Sequence, residues 1–299
     1  TSVALANGEI ADVFPINNPL ATADGFVLNK RDRQSYATLH KVAGEYRGRF
    51  FDDFTAVLGL SVPFYKRDLN QFCYTTSASG FLDCVGGVSA AYEAANPYVT
   101  DPNTGEVISG SAPPQSREYN YDKLLPNVGF TYEFGDASFF GNYGKGLSVP
   151  GTDELYDSIY FPDVESARPV AETTDSFDLG LRFQNGDLQA QLVGWYTRYN
   201  NRRDLGGVDK YGIDASVAYS PTPNTLLYVF GSLNESEIRD NVQLDAGEFA
   251  QTAGKRESGA PTFTVGARGQ YNFGPAELGV QVKHTGKRYV NDENLPRDP

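Results

Sequence analysis

The sequence has no methionine, one tryptophan, two histidines and two cysteines in 299 residues. It also has no apolar run near the roughly 18 residues a membrane helix needs, so the chain does not cross a bilayer as helices. A membrane β-barrel stays open, because its strands average polar and apolar faces together. With no methionine there is no natural start residue, and no signal-peptide pattern opens the chain. The closing NDENLPRDP reads as a loop. The expectation is a segment of a longer or processed protein, whose missing signal peptide says nothing about compartment. Basic residues are scarce as well: 25 Lys and Arg face 38 Asp and Glu, a net charge of −13. Nucleic-acid binding, which needs a basic face, is excluded. Acidic residues such as Asp153, Glu154, Asp157, Asp163, Glu165, Asp240, Asp245 and Glu248 read as solvated loop.

The shortage of histidine bears on catalysis. His40 shares parity with Val42 and Tyr46, and His284 with Val280 and Val282. A Ser-His-Asp site inside a barrel would need the other face, so no enzyme and no catalytic residue is expected. Cys73 and Cys84 would close a small loop in CYTTSASGFLDC. Two thiolates without a nearby His or second Cys pair make no zinc site, and a disulfide fits an oxidising compartment. Asp101-x-Asn103-x-Gly105-Glu106 begins like a calcium loop, but the bidentate Glu that closes one is absent, so it reads as a turn. No metal or cofactor is expected.

Period-two alternation is abundant. Phe177, Leu179, Leu181 and Phe183 fall on one face, with Asp178, Gly180 and Arg182 on the other. Leu188, Ala190, Leu192 and Tyr196 follow, opposite Gln189 and Gln191. Then Tyr211, Ile213, Ala215, Val217 and Tyr219 stand against Gly212, Asp214, Ser216 and Ala218. Such runs are strands with one apolar and one polar face. Asn185-Gly186-Asp187 is a hairpin signal, because Asn and Gly tolerate positive φ.

The same reading gives about ten long strands between 36 and 290, all in one segment. Residues 1–35 read as a loop, and 70–122, 146–171 and 238–259 as long loops. Tight turns near 52, 136, 186, 222 and 275 alternate with these, 203–207 being the one short exception. Tight turns then share one end of an antiparallel meander, the pattern of short periplasmic turns and long outer loops. Several runs reach 12–15 residues, beyond the soluble mode of about 5–6. Phe50, Phe51, Phe54, Phe134, Phe139, Phe183, Tyr219 and Phe273 flank the tight turns, where an aromatic girdle would sit.

Two stretches are more specific. Tyr143-Gly144-Lys145-Gly146 leads to Pro150 and Asp153-Glu154-Leu155-Tyr156. Glu172-Thr173 then leads to Leu179-Gly180-Leu181-Arg182. Trp195-Tyr196, Tyr199-Asn200-Asn201-Arg202, Val208 to Asp214, PTFTVGARGQYNF and VQVKHTGKRYVNDEN continue the pattern. In order and spacing these motifs resemble the β-barrel of a TonB-dependent outer-membrane receptor over most of 36–294. Barrels of that kind have about 22 strands. Nothing in the chain matches the family's plug, through which the energy-coupling TonB-type protein is engaged.

The resemblance implies an outer membrane of a Gram-negative bacterium, contact with its lipid, and uptake of a small-molecule solute such as a siderophore or sugar. A passive outer-membrane pore and a secreted soluble β-sheet binding protein are the alternatives. It also implies ligand contacts on outer loops, for which Tyr74, Phe81, Tyr156, Tyr160, Phe161 and Arg168 are candidates. Packing of loop on loop is the simpler account of the same residues. Glu133, Asp178, Arg182, Asp214 and Arg268 have the parity of a polar lumen.

Overall fold

A computed structural model describes residues 31–72, 114–160, 163, 165, 168–202, 205–243 and 249–295, with short isolated strands between 3 and 29 and between 84 and 109. The long strands are β1 (Arg33–Phe50), β2 (Phe54–Gln71), β3 (Gln115–Asp122), β4 (Leu125–Phe134), β5 (Ala137–Ser148), β6 (Glu172–Asn185), β7 (Leu188–Arg202), β8 (Gly206–Thr222), β9 (Thr225–Ile238), β10 (Phe263–Asn272) and β11 (Glu277–Thr285). Among the described residues there is one helix, α1 (Thr152–Asp157), which continues as a 3-10 turn over Ser158–Tyr160. The chain divides into two compact units.

The larger unit holds 41–63, 123–148 and 171–299. Its strands form an antiparallel meander in the order β1-β2-β4-β5-β6-β7-β8-β9-β10-β11. The ten expected strands are all present. Five tight turns close one end of this sheet. Gly135 and Gly186 carry φ of +59° and +49°, the left-handed geometry that two-residue hairpins need. The turn after β1 uses Phe51 and Asp52 at φ 52° and 57° instead. Left-handed geometry costs a non-glycine residue roughly 1–2 kcal/mol. Arg49 Nε, donating to the Asp52 carbonyl at 2.7 Å, helps hold that turn.

Register aligns the alternation of neighbouring strands into transverse rows. One face carries Phe130-Gly141-Leu179-Gly194-Ile213-Leu233-Phe263. Below it run Tyr132-Phe139-Leu181-Leu192-Ala215-Gly231-Val265-His284 and Phe134-Ala137-Phe183-Ala190-Val217-Val229-Ala267-Val282. Among the described residues nothing covers this apolar face. Leu179 and Val229 are each 52 % exposed and Val282 66 %. Buried apolar clustering in this unit is confined, among the described residues, to Leu205, Val208 and Ile238 at the other end of the strands.

The smaller unit holds 1–40, 64–122 and 149–170. Here two expected loops contain structure. β2 runs on to Gln71 and pairs with β3, which lies inside the expected loop 70–122. No apolar alternation marks this pairing, because neither face is simply apolar. One face is held by Lys66 with Glu118 at 2.8 Å and by Ser116 Oγ donating to Asn70 at 2.7 Å. The other mixes Arg67 and Arg117 with Leu69, Tyr119 and Tyr121. The expected loop 146–171 contains α1, whose Leu155 and Tyr156, with Ile159, bury against Leu69 and Tyr119. Within the expected loop 1–35, strand β1 already begins at Arg33. In the larger unit, β9 ends at Ile238, and two short strands, Val242–Gln243 and Phe249–Ala250, pair antiparallel inside the expected loop 238–259.

Candidate functional site

The polar face of the larger unit gathers all five charges expected there. Glu133 and Arg182 share the row Glu133-Ser138-Arg182-Gln191-Ser216-Phe230-Gly266. Asp214 lies in the next row, with Phe140, Gly180, Val193 and Ser232, and Asp178 one further, between Asn142 and Trp195. Arg268 lies across from Tyr228. The five share a face without converging. Glu133 pairs with Arg49 at 3.7 Å, Arg182 Nε donates to Gln191 at 3.0 Å, and Arg268 donates to Gln270 at 2.6 Å.

Large aromatics on this face lie over glycines of the adjacent strand. Phe140 is opposite Gly180, Trp195 opposite Gly212 and Phe230 opposite Gly266. A Cβ on Gly180 would stand 2.6 Å from the Phe140 ring, and one on Gly212 2.7 Å from the Trp195 ring. Each ring therefore covers a glycine instead of projecting freely from the wall. Arg182 adds its guanidinium over the Phe140 ring at 4.2 Å.

At the loop end of the same face is a cluster that alternation alone did not reveal. Lys210 shares a row with Thr197 and Ser236, and Val208 pairs with Tyr199. Arg202 follows a register shift after Tyr199. Both cations approach the Tyr199 ring, at 5.0 Å for Arg202 and 5.3 Å for Lys210. Glu257, 8 % exposed on the loop before β10, binds Arg202 Nη2 through Oε1 at 2.5 Å and Lys210 through Oε2. Its backbone N–H donates to Ser236 Oγ at 3.1 Å. The signal available in sequence was a lone Glu in a polar loop, which no local pattern connects to β7 and β8.

In the smaller unit, Tyr156 is a packing residue. It is 5 % exposed, donates its hydroxyl to the Asn70 carbonyl at 3.2 Å, and has Arg33 over its ring at 4.3 Å. Burial raises its hydroxyl pKa. Burial likewise pushes Tyr121 from 10.0 to about 12; Tyr119 and Glu154 add to this and Arg67 and Arg168 oppose it. Arg168 bonds Asp163 at 3.1 Å and stands 6.0 Å from the Tyr119 ring. Tyr74, Phe81, Phe161, Cys73 and the Asp101–Glu106 turn lie outside the described residues, as do the side chains of Tyr160 and Cys84. Among the described residues no three His, Cys, Asp or Glu side chains group to hold a metal ion. No helix among them is long and apolar enough to cross a membrane, which leaves β-barrels untouched.

The profile described as TonB dependent receptor-like, beta-barrel matches residues 6–299. The chain belongs to this family. Solved structures agree in fold. The ferric yersiniabactin uptake receptor FyuA from Yersinia pestis superposes at TM-score 0.57 and 14% identity, over 88% of this chain and 36% of that one. The siderophore receptor PiuA from Acinetobacter baumannii reaches TM-score 0.63 at 14% identity, over 88% and 35%. The ferric citrate transporter FecA in its unliganded form reaches 0.55 at 12%, over 92% and 46%. The chain thus spans between about a third and a half of the receptors it matches. Within a TonB-dependent receptor barrel, the two-faced meander described above is wall.

Proposed function

We propose that this chain forms part of the membrane wall of an outer-membrane receptor in a Gram-negative bacterium. The receptor imports a scarce, bulky solute with energy passed on by a TonB-type protein. The observation that carries the reading is the uncovered apolar face, continuous over the larger unit's strands and backed by a polar face. In water such a surface would far exceed the few hundred Å² of contiguous apolar patch a soluble protein tolerates. Against lipid it is the favourable state. Its strands of up to 18 residues also exceed the roughly 9–11 needed to span, so they project beyond the hydrocarbon. The polar face, with Glu133, Asp178, Arg182, Asp214 and Arg268, then lines the lumen. Tyr74, Phe81, Tyr160, Phe161 and Arg168 are the candidates for first contact with a solute, and Tyr156 packs with Leu69, Tyr119, Leu155 and Ile159. Cys73 and Cys84 pair as a disulfide in that oxidising setting.

Conductance of the full-length protein in planar bilayers tests the reading. A plugged, energy-coupled receptor shows no steady open-channel current, and its solute uptake stops in cells lacking the coupling protein. Immediate steady conductance with uptake indifferent to that loss would make it a passive pore.

A further inference from the structure

We infer that Tyr199, Arg202 and Lys210 form an anion-binding site on the polar face, occupied in this state by the loop's own Glu257 carboxylate. Solutes bearing carboxylate or phosphate oxygens exchange with that carboxylate. The inference rests on the receptor reading and names the chemical class of solute it favours.

Tyr199 and Lys210 stand on adjacent strands, β7 and β8, within one continuous ladder, and Arg202 follows the register shift after Tyr199, where it pairs with Gly206. Glu257 instead comes from the loop before β10, where a side chain can turn away without disturbing the sheet. Two cations face one carboxylate, so the cluster carries one excess positive charge. The Arg202 Nη1 atom is buried with no hydrogen-bond partner among the described residues. Both cations are part-exposed, at 27% for the Arg202 side chain and 22% for Lys210, and a second set of anionic oxygens would meet the open Arg202 donor and balance the excess charge. Tyr199 adds a ring face to which both cations are drawn, which holds them in place while the anion changes. A tricarboxylate or a phosphate can engage the guanidinium with two oxygens and leave another for Lys210. Glu257, with one carboxylate shared between both, gives each cation a single oxygen.

The test uses the full-length protein in detergent, with citrate as probe and chloride at matched ionic strength as control. Citrate affinity is read by calorimetry, and hydrogen exchange is followed over 255–262. In the unmodified protein citrate, but not chloride, speeds exchange at the Glu257 amide as its contact with Ser236 loosens. Glu257→Gln removes the competitor and tightens citrate binding at least tenfold. Arg202→Gln and Lys210→Gln each weaken it at least tenfold. Citrate binding unaffected by all three substitutions, or exchange over 255–262 that is the same in citrate and chloride, overturns the inference. The chloride comparison on the unmodified protein decides the matter even if a variant fails to fold. None of these readouts depends on energy coupling, so their failure leaves the uptake reading standing, and that is tested separately by conductance.

Discussion

At the residue scale, close packing in a wall one strand thick leaves little room for change. Gly212 lies under the Trp195 indole, and a Cβ there would also strike the Leu233 carbonyl. Backbone cannot yield as a flexible side chain can, so Gly212→Ala is expected to destabilise the barrel by about 1–3 kcal/mol, read as a lowered urea midpoint at unchanged slope. Gly194→Ala is the control, since the nearest atom to a Cβ there is 4.0 Å away. Tyr121 makes a pH prediction. The folded protein holds its hydroxyl proton more tightly than the unfolded chain, so this contribution is intact below about pH 10 and is lost as pH rises toward about 12. Unfolding midpoints should therefore fall across that window, and Tyr121→Phe should flatten the fall. An unaltered slope in the variant would assign the alkaline loss to other groups.

At the element scale, each strand owes its position to which side each residue faces. Leu58 and Val265 lie on the apolar face, and Ser216 lies in the polar row with Arg182 and Gln191. Leu58→Arg or Val265→Arg should cost about 2–4 kcal/mol for folding into vesicles if these residues meet the bilayer midplane. Ser216→Arg should stay within about 0.5 kcal/mol. Equal costs on both faces would place both in water. The helix segment follows different rules. Leu155 is fully buried against Leu69 and Tyr119. Leu155→Ala should cost about 2–5 kcal/mol by cavity formation, which intrinsic fluorescence during denaturation would report.

At the scale of the whole molecule, topology predicts sidedness. In the larger unit Asp187 lies in a tight turn and Gln251 on a loop at the opposite end of the strands, both exposed. In intact cells, Gln251→Cys should react with an impermeant maleimide at once, and Asp187→Cys only after the outer membrane is breached. The reverse order would invert the barrel.

Alternation in one strand determines that strand and its two faces, because side chains of a pleated chain point to opposite sides regardless of neighbours. The ten long strands, their tight turns and the shared parity of Asp178, Arg182 and Asp214 were therefore legible before any coordinates. Tertiary structure alone decided the rest. β3 and α1 lacked apolar alternation, because their stability comes from Lys66 with Glu118 and from burial of Leu155 and Ile159, contacts made across long sequence separations. The Glu257 cluster was hidden for the same reason. A carboxylate 47 residues from Lys210 and 55 from Arg202 is joined to them by no periodicity, only by the path of a folded loop.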